Sequence, residues 1–185
     1  DLGHNEGYQP SLKYIGPLSR FKKLNLPIKY NLLVILSGPE PQRTYLEVKL
    51  FDQLKLYDGK VCFVKGVIEN EQLINETKNI TVYNFMTSLE LEKTLNESEL
   101  ILSRSGYTSI MDYAKLEKKA FLIPTPGQFE QQYLATKLNQ EQVSPSCKQE
   151  DFKITMLNIV DNFSGFKHME YTVNYKKLFS LFESK

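Results

Sequence analysis

Ser103-Arg104-Ser105-Gly106-Tyr107-Thr108-Ser109-Ile110-Met111-Asp112, then Ala120-Phe121-Leu122-Ile123-Pro124, then Thr125-Pro126-Gly127-Gln128-Phe129-Glu130-Gln131-Gln132, is the stretch that decides the fold. It reads as strand, Gly turn, helix carrying one acid, strand, Pro/Gly loop, and a helix that opens with paired amides. In a parallel sheet this layout brings a helix N-terminus, a carboxylate and two carboxamides to the carboxyl edge. Those groups suit an anion, a vicinal diol and further hydroxyls respectively.

Working outward, the same alternation continues. Tyr30–Leu36 is apolar on both faces, as a central parallel strand is, and it stops at Ser37-Gly38-Pro39. Helical spacing over Gln42–Tyr57 ends at Asp58-Gly59. Val61–Lys65, Ile80–Phe85 and Leu100–Ser103 read as strands, and Leu89–Leu95 as a helix capped by Thr87 or Ser88. Thr108–Leu116 and Phe129–Leu138 read as helices, Ala120–Ile123 as a strand, and Thr108 and Ser109 are placed to cap the first of these helices. A helix near Gln149–Asn162 and a last one near Asn174–Glu183 follow, separated by Ser164-Gly165. The expected fold is therefore α/β: a Rossmann-like doubly wound parallel sheet with helices on both faces. Residues 1–13 read as a linker or arm, 14–163 as the domain, with a short extended segment at Tyr14–Leu18, and 164–185 as a helix packing on the domain or on another one.

Composition narrows the function classes. A net charge of +1 over 185 residues carries no nucleic-acid footprint. The two cysteines, Cys62 and Cys147, have neither metal spacing nor a disulfide framework, which suggests a reducing compartment. Cys62 sits in an apolar strand as a small core residue. His4 and His168 accompany no nucleophile pattern, and no metal cluster is visible. The polar start without Met is not a signal peptide and suggests a piece of a longer chain. The Asn-X-Ser/Thr triplets at Asn75, Asn79, Asn96 and Asn162 read as chance matches.

Three elements carry candidate chemistry. Ser37-Gly38, with Arg43 in the helix that follows, is a strand-to-helix turn able to approach a phosphate, or else a turn stiffened by prolines. Arg104-Ser105-Gly106 with Thr108 is a second such turn, and Asp112 lies about one helical turn further on. A carboxylate there pairs with two hydroxyls of a ribose, or simply complements the helix dipole. Gly127-Gln128 and Gln131-Gln132 present amides to a sugar rim, or are solvated glutamines. Taken together the groups point to a nucleotide-sugar site.

This constellation resembles the C-terminal half of GT-B glycosyltransferases, and within them the MurG-like family that transfers N-acetylglucosamine from UDP. Ser105-Gly106, Asp112, Pro124 and Gln131-Gln132 match that family's turn, helical acid, strand-ending proline and Gln pair in register and without a gap. The likeness runs over roughly Tyr14–Phe163. It implies that Asp112 binds the uridine ribose with a shorter acid than the usual Glu, and that Gln131 and Gln132 hold donor-sugar hydroxyls. It implies that Met86, in Phe85-Met86-Thr87-Ser88-Leu89, contacts the uracil. Ser37-Gly38 falls where the family has a Gly-rich diphosphate turn, from which Pro39-Glu40-Pro41 departs. The implied function is an inverting transfer of a sugar from a UDP-hexose or UDP-N-acetylhexosamine to an acceptor hydroxyl of a cell-envelope glycan. No metal or other cofactor is expected. The acceptor site and catalytic base are expected from an N-terminal domain outside this chain, in a cytoplasmic protein peripheral to the inner face of the membrane. Two alternatives stay open: an epimerase or hydrolase using Glu130, and a donor-binding subunit that needs a partner chain.

Overall fold

The computed structural model describes residues 18–167. In chain order it contains β1 (Tyr30–Ile35), α1 (Gln42–Leu54), β2 (Val61–Val64), β3 (Ile74–Glu76), β4 (Ile80–Tyr83), α2 (Ser88–Asn96), β5 (Ser98–Ser103), α3 (Tyr107–Leu116), β6 (Lys119–Leu122), α4 (Phe129–Gln140) and a 3-10 helix (Ile154–Asn162). The strands form one sheet in the order β3-β4-β2-β1-β5-β6. Every pairing is parallel except β3 with β4.

Burial on both faces explains the uninterrupted apolar strands. Leu32 and Val34 of β1 join Leu46, Leu50 and Leu54 of α1 on one face, where Ile154, Leu157 and Val160 also pack. Leu33, Cys62 and Ile101 look the other way, onto Leu95 of α2 and Tyr113 and Leu116 of α3. The i, i+4 stripe of leucines orients α1, and the Phe51 ring stacks on Phe63 at 4.4 Å between centroids. Thr87 caps α2 through a complete capping box with Glu90.

Three sequence expectations change. The Gln149–Asn162 segment is not an α-helix: it is a 3-10 helix over Ile154–Asn162, whose buried residues Ile154, Leu157 and Val160 are spaced by three. A three-residue period puts these side chains on one face of a 3-10 turn, and β-branched Ile154, Thr155, Ile159 and Val160 weaken the α alternative. β3 was not anticipated, because Ile74–Glu76 is an exposed three-residue edge with no alternation to reveal it. Thr108 and Ser109 do not cap α3, whose N-cap is Gly106 with no side-chain bond. The helix expected near Asn174–Glu183, the arm at 1–13 and Tyr14–Pro17 lie outside the described residues, and Leu18 is irregular.

Candidate functional site

Strand order reverses between β1 and β5: the chain leaves β1 toward β2 on one side and returns at β5 on the other. The crevice at such a reversal is the natural ligand position in an open parallel sheet. Its two walls are the turns after β1 and after β5, which the sequence had singled out.

They are not equivalent. The turn after β1 is closed by its own side chains. Glu40 accepts the Thr44 N–H at 3.2 Å and the Thr44 hydroxyl at 2.7 Å, which sets a carboxylate at the start of α1. Arg43 is held between Glu40 and Glu47, both at 2.6 Å, and also donates to the Lys65 carbonyl. Its charge is already matched. Ser37 and Gly38 stay exposed, and Gly38 has φ +102°, a left-handed conformation that disfavours any other residue.

The turn after β5 is open. The backbone N–H groups of Tyr107, Thr108 and Ser109 meet no acceptor among the described residues, and no acid stands in the first turn of α3. Gly106 has an ordinary φ of −68°, and a Cβ placed there would come no nearer than 3.9 Å to any neighbour, the Ser109 Oγ. The backbone therefore does not require glycine at this position. Beyond that contact, a methyl group there would meet only open space.

Beneath this turn Arg104 is 1% exposed. Its guanidinium donates to the carbonyls of Ile123 (3.3 Å), Pro124 (3.2 Å) and Gln42 (3.0 Å) and to Gln149 Oε1 (2.6 Å). No carboxylate pairs with it among the described residues, and Nε has no partner. Burial pushes the guanidinium down to about 10, so it stays charged at neutral pH. Arg104 thus ties α1, the loop after β6 and Gln149 together. Ser105 is also internal, with its hydroxyl donating to the Gln131 carbonyl at 2.8 Å.

Asp112 is 9% exposed on α3. Its Oδ1 accepts the Ser19 hydroxyl at 2.6 Å, from the segment that leads into β1. Burial raises the carboxyl above its ordinary range, while the Ser19 bond and the nearby Arg20 charge act in the opposite direction. Met86 leans its side chain on the core, and its backbone N–H and C=O meet no partner among the described residues. Gln72 holds that loop by donating to the Phe85 carbonyl (2.9 Å) and Glu90 (3.0 Å).

The paired glutamines separate. Gln131 is buried, accepting the Thr125 N–H and donating to Gln128. Exposed Gln132 lines a groove of about 560 Å³ with Pro124, Pro126, Thr136, Lys148 and Gln149. Gly127, at φ +81°, is exposed at its edge of the loop. Another cavity, of about 700 Å³, opens beside Asn31, Gly59, Leu100 and Lys119, at the amino ends of the strands. It lies at the wrong edge of the sheet for this chemistry.

The family model described as glycosyltransferase family 28 C-terminal domain matches residues 48–164, more than half of the chain. The chain belongs to this family. Solved structures with the same fold include the glycosyltransferase SnogD from Streptomyces nogalater, at 12% identity and a TM-score of 0.54, covering 84% of this chain and 39% of that one. They also include MurG of Acinetobacter baumannii, at 19% identity and a TM-score of 0.51, with 78% and 45% covered. The solution structure of ALG13 matches at 15% identity and a TM-score of 0.50, with 88% and 95% covered. The family 28 chain thus spans less than half the length of SnogD and MurG and nearly all of ALG13. No curated protein gives a significant sequence match. The expected Rossmann-like C-terminal half of a GT-B glycosyltransferase is the fold found.

No helix among the described residues is long and apolar enough to cross a membrane. Among them no group of His, Cys, Asp and Glu could hold a metal, and both cysteines are free thiols, with Cys62 fully buried.

Proposed function

We propose that this family 28 domain is the donor-binding part of an inverting, MurG-like glycosyltransferase whose donor is a UDP-hexose or UDP-N-acetylhexosamine. The observation that carries the reading is the open start of α3: three unpartnered N–H groups and an uncrowded Gly106 stand above a buried arginine that lacks a counter-charge. A buried cation solvated only by carbonyl dipoles and an amide is costly, and a diphosphate settling above it offsets that cost. Negative charge that grows on the departing diphosphate is stabilised by the same fixed N–H groups and charge, so the step needs no metal in principle. Asp112 accepts from the ribose, the free backbone groups of Met86 face the base, and Gln132 holds the sugar from the groove. The turn after β1 contributes Ser37 and Gly38 as a neutral wall, since its arginine is already ion-paired. The acceptor and the base that activates it come from another domain or chain, which would place the protein at a membrane-bound glycan acceptor on the cytoplasmic side.

A specific observation favours a separate acceptor-binding partner as the second reading. Ile68, Leu89, Tyr107 and Phe129, exposed by 88%, 81%, 47% and 79%, surround the carboxyl edge. Apolar side chains gathered around a ligand edge suit a covering surface. Calorimetric titration of the chain with UDP, GDP, ADP and UDP-N-acetylglucosamine tests the leading reading. Selective binding of the uridine ligands is expected, and equal binding of all three nucleoside diphosphates would defeat the uridine assignment.

A further inference from the structure

The segment leading into β1 crosses α2 and α3 as a strap. Phe21 is buried in the core cluster shared by β1, β5 and α3. The Lys22 N–H donates to Glu92 at 2.7 Å and the Leu24 N–H to Asn96 Oδ1 at 2.8 Å, while Asn96 Nδ2 returns a bond to the Lys22 carbonyl at 3.0 Å. Lys23 pairs with Glu117 at the far end of α3. These anchors fix the strap independently of anything bound in the crevice.

Ser19 stands at its head. The Phe21 N–H donates to Ser19 Oγ at 3.1 Å, which occupies a lone pair of the hydroxyl and directs its single proton to Asp112 Oδ1 at 2.6 Å. The Leu18 N–H meets the sulfur of the adjacent Met111 at 3.3 Å, so the strap touches both residues of this helical turn. Asp112 Oδ2 has no hydrogen-bond partner among the described residues and is not among the atoms sealed from solvent. The two oxygens of one carboxylate thus have different surroundings: one is held by the strap and the other is unpaired.

We propose that Ser19 is a positioning residue for ligand recognition by Asp112. It fixes Oδ1, sets the rotamer of the carboxylate, and leaves Oδ2 to accept a single ribose hydroxyl. The inference rests on the nucleotide-sugar reading above and extends it: an acid on α3 reads the ribose through one oxygen, and a residue some 90 positions earlier decides which one. Ser19 itself touches no ligand. Because its hydroxyl stabilises the ionised form, it also keeps Asp112 an acceptor in a setting where burial favours protonation.

The test is calorimetric titration of wild type, Ser19→Ala and Ser19→Thr with UDP and with 2′-deoxy-UDP and 3′-deoxy-UDP, each variant first checked for an unchanged circular dichroism spectrum. Wild type should bind UDP and lose affinity for only one of the two deoxy analogues. Ser19→Ala should weaken UDP by about fivefold, the worth of one hydrogen bond, and shrink that discrimination, while Ser19→Thr restores both. The pH below which UDP affinity fades should also move upward in Ser19→Ala, a change that a merely structural serine would not produce. Unchanged UDP affinity and discrimination in Ser19→Ala, with wild type still binding, would overturn the role of Ser19 and leave the nucleotide reading intact. Tighter binding would overturn it too, by showing that the hydroxyl fills the place of the ribose. Absence of UDP binding in wild type would bring down the nucleotide reading, and the proposal with it.

Discussion

Gln131 Oε1 accepts the backbone N–H of Thr125 at 2.9 Å, and this bond sets the loop between β6 and α4. Its Nε2 reaches Gln128 Oε1 at 2.5 Å, so the amide bridges the loop at two points. The next residue, Gln132, is exposed on the groove wall. Two adjacent identical side chains therefore do different work. Gln131→Ala should cost about 1–3 kcal/mol of stability, the range for orphaning the buried Thr125 N–H, as read from the urea midpoint. Gln132→Ala should leave that midpoint in place and weaken UDP-sugar binding, with UDP almost unaffected. Equal loss for UDP and UDP-sugar would remove Gln132 from the sugar.

Gly106 offers a cleaner separation of fold from site. A Cβ there has open space at an ordinary φ, so Gly106→Ala should cost the fold only about 0.5–1 kcal/mol, as alanine is a poorer N-cap than glycine. If a diphosphate lies over the start of α3, the same methyl group should reduce nucleoside diphosphate affinity about tenfold or more by steric exclusion, equivalent to about 1.4 kcal/mol. Unaltered affinity in a folded Gly106→Ala would move the phosphates elsewhere.

Arg104 bonds the carbonyls of Ile123, Pro124 and Gln42 from a fully buried position. Arg104→Met keeps the volume but abandons those acceptors and Gln149, and should destabilise by about 3 kcal/mol, moderated by the charge it no longer buries. Arg104→Lys should recover only part, since an ammonium cannot span acceptors on separate elements as a planar fork does. Denaturant midpoints measure both, and a neutral Arg104→Met would show that Arg104 is not a structural hub.

Asp112 gives a pH dependence with a definite sign. Its carboxyl is raised above the ordinary 3.8, chiefly by burial, so the folded chain holds this proton more tightly than the unfolded one. The resulting contribution to stability is present below pH 3.8 and is lost as pH rises through the raised value. Ligand binding runs the opposite way. Acceptance from a ribose hydroxyl needs the carboxylate, so UDP affinity should fall as pH drops through the raised value. Asp112→Asn should weaken UDP at neutral pH and abolish this acid limb, with calorimetry across pH 4–8 as the measurement. An acid limb that persists in Asp112→Asn would assign it to another group.

Much of this was legible in the sequence. Continuous apolar runs at Tyr30–Leu36 and Val61–Lys65 require burial on both faces, and the Gly turns and intervening helical stripes then leave a doubly wound sheet as the consistent solution. The i+3 and i+4 spacing of Glu40, Arg43 and Glu47 could have warned that the arginine would be paired, since such spacing stacks charges on one helical face. Nothing local announced that Ser19 would meet Asp112 or that Gln149 would meet Arg104, because those contacts join segments 93 and 45 residues apart.

The sequence by itself determined which residue types arrive at the carboxyl edge: a Gly turn, an acid one helical turn later, and paired amides after a Pro/Gly loop. Period and turn chemistry are local properties and survive translation into structure. Only the tertiary structure decided which of those groups remain open. Arg43, Arg104, Ser105 and Gln131 carry polar groups no less capable than those at Gly106, Thr108 and Gln132, but close packing obliges buried donors and acceptors to find partners within the protein. The groups left over after that pairing are the ones free to meet a ligand.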